Sequence, residues 1–388
     1  MERKEIINRV SRMNTKQDLL DLLNDLKVDD LGPDARRFSM RQINYYCNPN
    51  RDQHRYTHFD IPKKSGKEPR HIAAPVPGLK SLLVYLNVMF QAMYEPVDCV
   101  FGFVPGRSVT GNARLHVGKH YVFNIDLKDF FPSVAQARVW KRLQCPPFNF
   151  CDNEARGWHR RVLADVIAGL CCIKIDDNTS VLPQGAPTSP VLTNIICERL
   201  DRRLQGLARR FGVTYSRYAD DITFSSSHNV FHKHGAFVKE MRRIIIDQHF
   251  TLNEAKTRLS SPNQRQEVTG ITVNVKPNVT RRYVDNLRHI LHRWEKDGYD
   301  AAAADFYPHY KSEKGHVKKG NPALENVVAG KLEYLKMVKG ENDSTYLRLR
   351  NRFAALLASN PCQDWDDTTL SNKLLALVSS NFDLNTLK

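Results

Sequence analysis

Two adjacent acidic residues, Asp220 and Asp221, lie between two short apolar runs in the segment SRYADDITFS (216–225). The alternation of apolar and polar residues on both sides is typical of half-buried strands, so the segment predicts a hairpin whose tip carries both carboxylates. Two like charges at one tip repel each other and destabilise it unless a cation lies nearby. A solvated acidic turn is one interpretation. A metal site is the other, and it requires a third carboxylate.

Asp126 is the candidate for that third carboxylate. The segment KHYVFNIDLKDFFPS (119–133) begins as an apolar, β-branched and aromatic run, which predicts a buried strand that ends at Asp126. If this strand and the hairpin share one antiparallel sheet, Asp126 meets Asp220 and Asp221. Transfer of a nucleotidyl group uses two hard cations about 4 Å apart, and Mg²⁺ prefers a few oxygen ligands completed by water and phosphate. We therefore predict a Mg²⁺ site at these three residues.

The charge balance of the chain points to a polyanionic partner. The 388 residues include 58 Lys and Arg against 42 Asp and Glu, a net charge of +16. Nucleic acid is the simplest such partner, and an anionic membrane surface is the alternative. No apolar stretch reaches the roughly 18 residues of a membrane span, and MERKEIINRV lacks the apolar core of a signal peptide. We therefore expect a cytoplasmic protein without a membrane partner.

Cysteine and histidine spacing gives no metal-binding pattern. None of the eight cysteines forms a C-x-x-C pair, which argues against a zinc ribbon or finger and favours reduced, structural thiols in a cytosolic protein. Three histidines cluster in SHNVFHKHG, namely His228, His232 and His234. Without a matching acidic or cysteine pattern, we interpret this segment as a polar loop.

Periodicity divides the chain into a helical beginning, a mixed α+β centre and a helical, basic end. HFDIPKKSGKEPRHIAAPVPG (58–78) predicts a basic hairpin. A helix over 280–297 would expose several arginines on one face. Residues 298–322 are expected to form an extended loop, and 323–358 two further helices.

Three segments together resemble the core polymerase motifs of reverse transcriptases: NIDLKDFFPS, LPQGAPTSP and RYADDITFS, in this order. Further segments agree, namely IPKKSGKEPRHI in the fingers, FGFVPGRS, LNEAKTRL, and VTGITVN as the primer-grip hairpin. RNA-templated RNA polymerases usually have Gly before the paired aspartates. Ala219 at this position supports DNA synthesis.

NARLH (112–116), VTG (268–270) and the thumb-like segment 330–353 are similar to signatures of retron reverse transcriptases. The resemblance implies an α+β fold, a right-hand polymerase with fingers, a palm whose antiparallel sheet carries the catalytic aspartates, and a helical thumb. The implied domains are an N-terminal helical extension (1–54), fingers and palm (55–275), and a helical thumb with a C-terminal segment (276–388).

The resemblance also assigns roles around the metals. Asp126 and Asp220 would bind both Mg²⁺ ions, and Asp221 would support one of them. Lys256 would donate a proton to the departing pyrophosphate, with a plain phosphate contact as the alternative.

Five residues would contact the incoming dNTP. Lys63 (or Lys64) and Arg70 would grip its triphosphate, although both can also be simple surface charges. Phe131 would be a sugar gate that excludes a ribose 2′-hydroxyl, unless it belongs to the core. Gln184 and Gly185 would lie under the nascent base pair.

RNA and primer contacts are implied at three places. Asn112 and His116 would hold RNA from one helix face, or else make a polar contact within the fingers. The VTG signature, Val268, Thr269 and Gly270, would contact the primer. The basic helix face would bind an RNA hairpin through Arg281, Arg282, Arg288 and Arg293.

The leading hypothesis is therefore the RNA-directed DNA polymerase of a retron. It would copy its own structured non-coding RNA into a branched RNA–DNA molecule (msDNA), priming from a guanosine 2′-hydroxyl, in defence against phage with an effector protein. Its partners would be that RNA, its DNA product and dNTPs. Another bacterial reverse transcriptase (group II intron-like, template-independent or defence-associated) and a catalytically idle RNA-binding scaffold are the alternatives.

Overall fold

A computed structural model describes residues 1–48, 50, 54–62, 69–156, 158–314 and 320–359. The described helices are α1 (Arg3–Arg12), α2 (Lys16–Leu31), α3 (Met40–Tyr46), α4 (Pro77–Met93), α5 (Val109–Arg114), α6 (Gln136–Leu143), α7 (Arg161–Cys171), α8 (Ser189–Arg210), α9 (Ala236–Asp247), α10 (Arg281–Asp297), α11 (Tyr299–Lys314), α12 (Leu324–Lys339) and α13 (Ser344–Ala358). The described strands are β1 (Tyr56–Ile61), β2 (Arg70–Pro75), β3 (Tyr121–Asp126), β4 (Asp152–Asn153), β5 (Trp158–His159), β6 (Ile173–Lys174), β7 (Ser180–Val181), β8 (Thr214–Tyr218), β9 (Asp221–Ser226), β10 (Arg258–Ser260), β11 (Glu267–Val268) and β12 (Ile271–Thr272).

The chain divides into two compact units, which we call the first and second unit. The first comprises Met1–Ile61, Glu68–Ser108 and His120–Ser260, and the second comprises Pro62–Lys67, Val109–Lys119 and Ser261–Lys388. The predicted division at residues 54 and 275 stays a prediction.

A four-stranded antiparallel sheet in the order β10-β3-β9-β8 is the centre of the first unit. Alternate residues of the strands point into the core, among them the fully buried Ile222 and Phe224, because successive side chains of a strand face opposite sides. The register places Asp126 opposite Asp221, as the predicted shared sheet requires. The α+β fold with an antiparallel palm sheet is thereby confirmed.

The predicted basic hairpin is also present in the first unit. Strands β1 and β2 pair antiparallel, with Ile61 opposite Arg70. The Ala73 amide of β2 donates a hydrogen bond to the Gln184 carbonyl at 2.9 Å. This bond joins the hairpin to the glycine-containing turn before α8.

Helices α1 to α3 begin the first unit, and capping residues account for the starts of α2 and α3. Thr15 and Ser39 each form a capping box with the residue three positions later, which satisfies otherwise unpaired amides at the helix start. The buried Arg160 then attaches α1 to the rest of the unit. Its Nη2 donates to the carbonyls of Val10 at 2.9 Å and Ser11 at 2.8 Å, at the carboxyl end of the helix.

The second unit contains α5, the β11–β12 hairpin and helices α10 to α13. The hairpin turn consists of Thr269 and Gly270, both with positive φ (47° and 84°), which a two-residue turn matching the twist of its strands requires. The expectation of an extended loop over 298–322 is wrong, because Tyr299–Lys314 forms α11. Four consecutive alanines at 301–304 favour the helix, and Phe306 anchors it by burial.

No helix in the described part of the chain combines the length and the apolar composition needed to cross a bilayer.

Arg160→Met should lower the free energy of unfolding by about 3 kcal/mol, because the variant leaves several buried carbonyls without a donor while it keeps the apolar stem. Urea unfolding followed by circular dichroism measures this loss. Arg161→Met is the matched control, since Arg161 is exposed and lies over the Trp140 ring at 4.9 Å. Equal stability of the two variants would contradict the attachment role of Arg160.

Candidate active site

The palm sheet brings the three predicted aspartates to one edge. Asp126 ends β3 and is 4% exposed, Asp221 begins β9 directly opposite it, and Asp220 precedes it in the turn from β8. The Leu127 amide donates to the Asp220 carbonyl at 3.1 Å, so the backbone of the hairpin tip is attached to the residue after Asp126. The predicted meeting of the three residues is present.

Two neighbours from one segment bind the Asp126 carboxylate. Lys256 Nζ donates to Oδ1 at 2.7 Å, and Asn253 Nδ2 donates to Oδ2 at 3.0 Å. The Asn253 amide also donates to the Asp126 carbonyl at 2.8 Å. The LNEAKTRL segment therefore contacts both the backbone and the side chain of Asp126.

The electrostatics of the site show that it is crowded with negative charge. Burial, and then the charge of Asp126, raise the pKa of Asp220. Asp221 keeps some exposed surface. Its pKa is nevertheless raised to about 6, mainly because the surrounding protein displaces water from the carboxylate and, to a smaller extent, because Asp220 and Asp126 are charged. Burial lowers the pKa of Lys256, but its bond to Asp126 and the nearby aspartates outweigh burial and raise the pKa overall.

The chemistry of this donor set fits a hard cation. Carboxylate oxygens are the ligands that Mg²⁺ prefers, and a cation would offset both the burial and the repulsion that raise the two pKa values. Among the described residues, no three acidic, histidine or cysteine side chains already converge on one ion position. One Asp126 oxygen instead accepts a hydrogen bond from Lys256.

The structure describes four of the five predicted dNTP contacts. Arg70 is exposed on β2, near enough to Asp220 for its charge to oppose the burial and the Asp126 charge that raise the pKa of that carboxyl. Gly185 has φ of 131°, and a Cβ added to it would meet the Ala73 carbonyl oxygen at 2.7 Å. Gln184 is half-buried beside it. Lys63, like the alternative Lys64, lies outside the described residues.

Phe130 and Phe131 differ in the way that a sugar gate requires. Phe130 is 5% exposed and stacks on Phe250 with ring centroids 5.9 Å apart, so it belongs to the core. Phe131 is half-buried and contacts the ring of Phe103 at 6.0 Å. Part of the Phe131 ring therefore remains accessible, five residues after Asp126.

The second unit buries two of the predicted RNA contacts. Asn112 and His116 are 1% and 0% exposed, and burial lowers the pKa of His116 to about 3, which keeps its ring neutral. Such burial leaves no surface for direct contact with RNA. The alternative of a polar contact within the protein fits this structure better.

The predicted primer contact VTG forms a hairpin tip. Val268 is fully buried, whereas Thr269 is half-buried and Gly270 exposed, so only the turn is accessible. The Thr269 hydroxyl donates to the Val109 carbonyl at 3.3 Å, which fixes the turn on the start of α5.

The predicted basic face of α10 is present but partly neutralised. Arg281, Arg282 and Arg288 are exposed. Asp285 pairs with Arg281 at 3.5 Å and with Arg288 at 3.0 Å. Arg293 is half-buried and pairs with Asp297.

Sequence reasoning missed four residues that hold the acidic hairpin and Asp126. They are Asn194, Asp201, Arg217 and Asn253. A signal existed for two of them. Asp201 interrupts the apolar stripe of α8 between Leu200 and Leu204, and Arg217 occupies an inward position of β8, so each places a charge where the pattern predicts burial.

Comparison with known proteins settles the family. The reverse transcriptase (RNA-dependent DNA polymerase) family matches residues 61–274. The Retron Ec86 reverse transcriptase of Escherichia coli is 33% identical over 243 residues, 61% of this chain and 69% of that protein. This chain belongs to the retron-type reverse transcriptases.

Two Myxococcus xanthus relatives agree, the Retron Mx65 and Retron Mx162 reverse transcriptases, each 34% identical. The match to the first covers 76% of this chain and 64% of that protein, and the match to the second covers 62% of this chain and 53% of that protein. This chain therefore spans less than two thirds of the length of either relative. The predicted enzyme class, an RNA-directed DNA polymerase, agrees with this family, whose members are metal-dependent.

Asp221→Asn should stabilise the metal-free reverse transcriptase above pH 6 but not near pH 4. Below pH 4 the folded and unfolded chains both carry a proton on Asp221. Between pH 4 and about 6 only the folded chain keeps it, so the wild type loses stability relative to Asn as pH rises through this window. Because solvent screens the exposed residue, the gain should be on the order of 1 kcal/mol or less.

Thermal unfolding in chelator at pH 4, 5, 6 and 8 measures this difference. Asp98→Asn is the control, since the Asp98 side chain is fully exposed and should give a flat difference. A pH-independent effect of Asp221→Asn would contradict the raised pKa.

Proposed function

We propose that this reverse transcriptase synthesises DNA on an RNA template with Asp126, Asp220 and Asp221 as its metal-binding residues. The observation that carries the proposal is that the palm sheet places these three carboxylates on adjoining strand ends, with Asp126 opposite Asp221 and Asp220 next to it, where a cation would offset their charge. Bound Mg²⁺ would supply Lewis-acid activation of the attacking hydroxyl and stabilisation of the leaving pyrophosphate.

Lys256 has two uses in this proposal. In the metal-free chain it neutralises Asp126, which would otherwise be a buried, uncompensated charge. Its side chain is 60% exposed, so it can leave Asp126 when a cation binds there. The freed ammonium group would then be available to contact the phosphates or to donate a proton to pyrophosphate.

The remaining residues orient the nucleotide. Arg70, on the hairpin that is bonded to the Gln184 turn, offers a forked guanidinium to the triphosphate. Gly185 lets backbone approach closely where any side chain would collide. The accessible side of Phe131 would meet a ribose 2′-hydroxyl and so favour deoxyribonucleotides.

The template and its products are inferred from the retron relatives. This chain would copy part of its own structured non-coding RNA, prime from a guanosine 2′-hydroxyl and produce branched msDNA. It would act in the bacterial cytoplasm in defence against phage, together with an effector protein. The exposed arginines of α10 and the VTG turn are the proposed RNA and primer contacts, and sequencing of copurifying nucleic acid would identify the RNA.

Asp220→Asn should reduce DNA synthesis by at least a hundredfold while RNA binding stays within about twofold, because the change removes a metal-binding charge but keeps the shape. Primer extension and filter binding measure the two quantities. Asp98→Asn, at a fully exposed carboxylate, should leave both unchanged. Extension by Asp220→Asn at near wild-type rate would refute the metal assignment.

Phe131→Val should raise the incorporation of ribonucleotides relative to deoxyribonucleotides by tenfold or more, since the shorter side chain no longer meets the 2′-hydroxyl. Single-nucleotide extension with each nucleotide type gives the ratio. Phe130→Val is the control and should lower stability without changing the ratio, because Phe130 is core. An unchanged ratio in Phe131→Val would mean that the gate lies elsewhere.

A further inference from the structure

A fully buried ion pair lies behind the acidic hairpin. Asp201 of α8 and Arg217 of β8 both have 0% exposed side chains. Arg217 Nε donates to Asp201 Oδ1 at 2.8 Å and Nη2 donates to Oδ2 at 2.7 Å, a two-pronged contact. The Tyr215 hydroxyl also donates to Oδ1 at 2.7 Å. These bonds fix the orientation of the guanidinium group.

The remaining Arg217 nitrogen reaches the hairpin tip. Its Nη1 donates to the Ala219 carbonyl at 3.2 Å and to Asn194 Oδ1 at 3.0 Å. Asn194 Nδ2 in turn donates to the Gly102 carbonyl at 2.9 Å. Gly102 packs so closely on the turn that a Cβ added to it would lie 2.4 Å from the Ala219 nitrogen. The turn before Asp220 is therefore held at its carbonyl and at its nitrogen.

The turn needs such support because its own sequence opposes its shape. Ala219 has φ of 57°, a left-handed conformation that residues with a Cβ rarely adopt and that Gly or Asn would favour. The next two residues are like charges. Neither feature stabilises the observed turn, so the surrounding contacts must select it.

We propose that Arg217 is a positioning residue that, oriented by Asp201, holds the Ala219 turn so that Asp220 can bind metal. The proposal rests on the metal-binding role of Asp220 proposed above. A buried ion pair can usually be replaced by apolar residues without loss of stability. What an apolar replacement cannot supply here is the hydrogen bond to the Ala219 carbonyl.

The test therefore separates packing from positioning. The triple variant Asp201→Leu/Tyr215→Phe/Arg217→Met replaces the pair and the hydroxyl that bonds to it with apolar groups, whereas Gly102→Ala disturbs the turn from its other side and leaves the pair in place. The main measurement is the affinity of the nucleic-acid-free chain for Mn²⁺, determined by electron paramagnetic resonance. Thermal unfolding and primer extension accompany it.

We expect each variant to bind Mn²⁺ at least tenfold more weakly than wild type, with a corresponding rise in the Mg²⁺ concentration needed for extension. Arg160→Met is the control: it removes another buried arginine of the same unit and should lower the unfolding temperature but keep Mn²⁺ affinity. Wild-type Mn²⁺ affinity in the folded triple variant would overturn the proposal. If the triple variant does not fold, wild-type Mn²⁺ affinity in Gly102→Ala would overturn the proposal instead.

Asp220→Asn distinguishes this proposal from the one on which it rests. If Asp220→Asn loses Mn²⁺ binding while the turn variants keep it, only the positioning role of Arg217 fails. If Asp220→Asn itself binds Mn²⁺ like wild type, the proposed metal site fails first.

Discussion

Mutual repulsion among Asp126, Asp220 and Asp221 is the constraint on which the rest of the first unit depends. Burial and the neighbouring carboxylates together raise the pKa of Asp220 and Asp221, and Lys256 is bonded to Asp126. A fold that only needed stability would not concentrate acids in this way. The arrangement becomes understandable when the edge is required to attract cations and to release them with each product.

Such an edge must be rigid as well as charged, and its supports come from distant parts of the chain. Asn253 holds the strand end that carries Asp126, and Leu127 holds the backbone of Asp220. Behind the hairpin, the buried Arg217–Asp201 pair connects the turn to α8. Each support acts on backbone or on the buried Asp126 carboxylate, while Asp220 and Asp221 keep surface that can face solvent and substrate.

Much of this could be predicted from sequence because the catalytic segments are local and strongly patterned. The alternation around Asp220 and the apolar run before Asp126 specify strands, and their shared sheet followed from the need for a third carboxylate.

Long-range polar contacts carry no such pattern. The partners Asp201 and Arg217 are 16 residues apart and belong to different element types, and nothing in their spacing predicts that they meet. For the same reason the sequence left two interpretations open for Asn112 and His116, since a polar residue on a short helix is compatible with exposure to RNA or with enclosure by another segment. The expectation of a loop over 298–322 is wrong because the alanine run favours α11, which contains Pro308 in its interior.

Cleavage of the chain by bound iron tests the central claim most directly. Fe²⁺ occupies many Mg²⁺ sites, and with ascorbate and peroxide it cuts the backbone beside the residues that hold it. The account predicts cuts next to Asp126 and at the Asp220–Asp221 turn, and their suppression by excess Mg²⁺. Cuts confined to other segments, or cuts at these positions that persist in excess Mg²⁺, would contradict it.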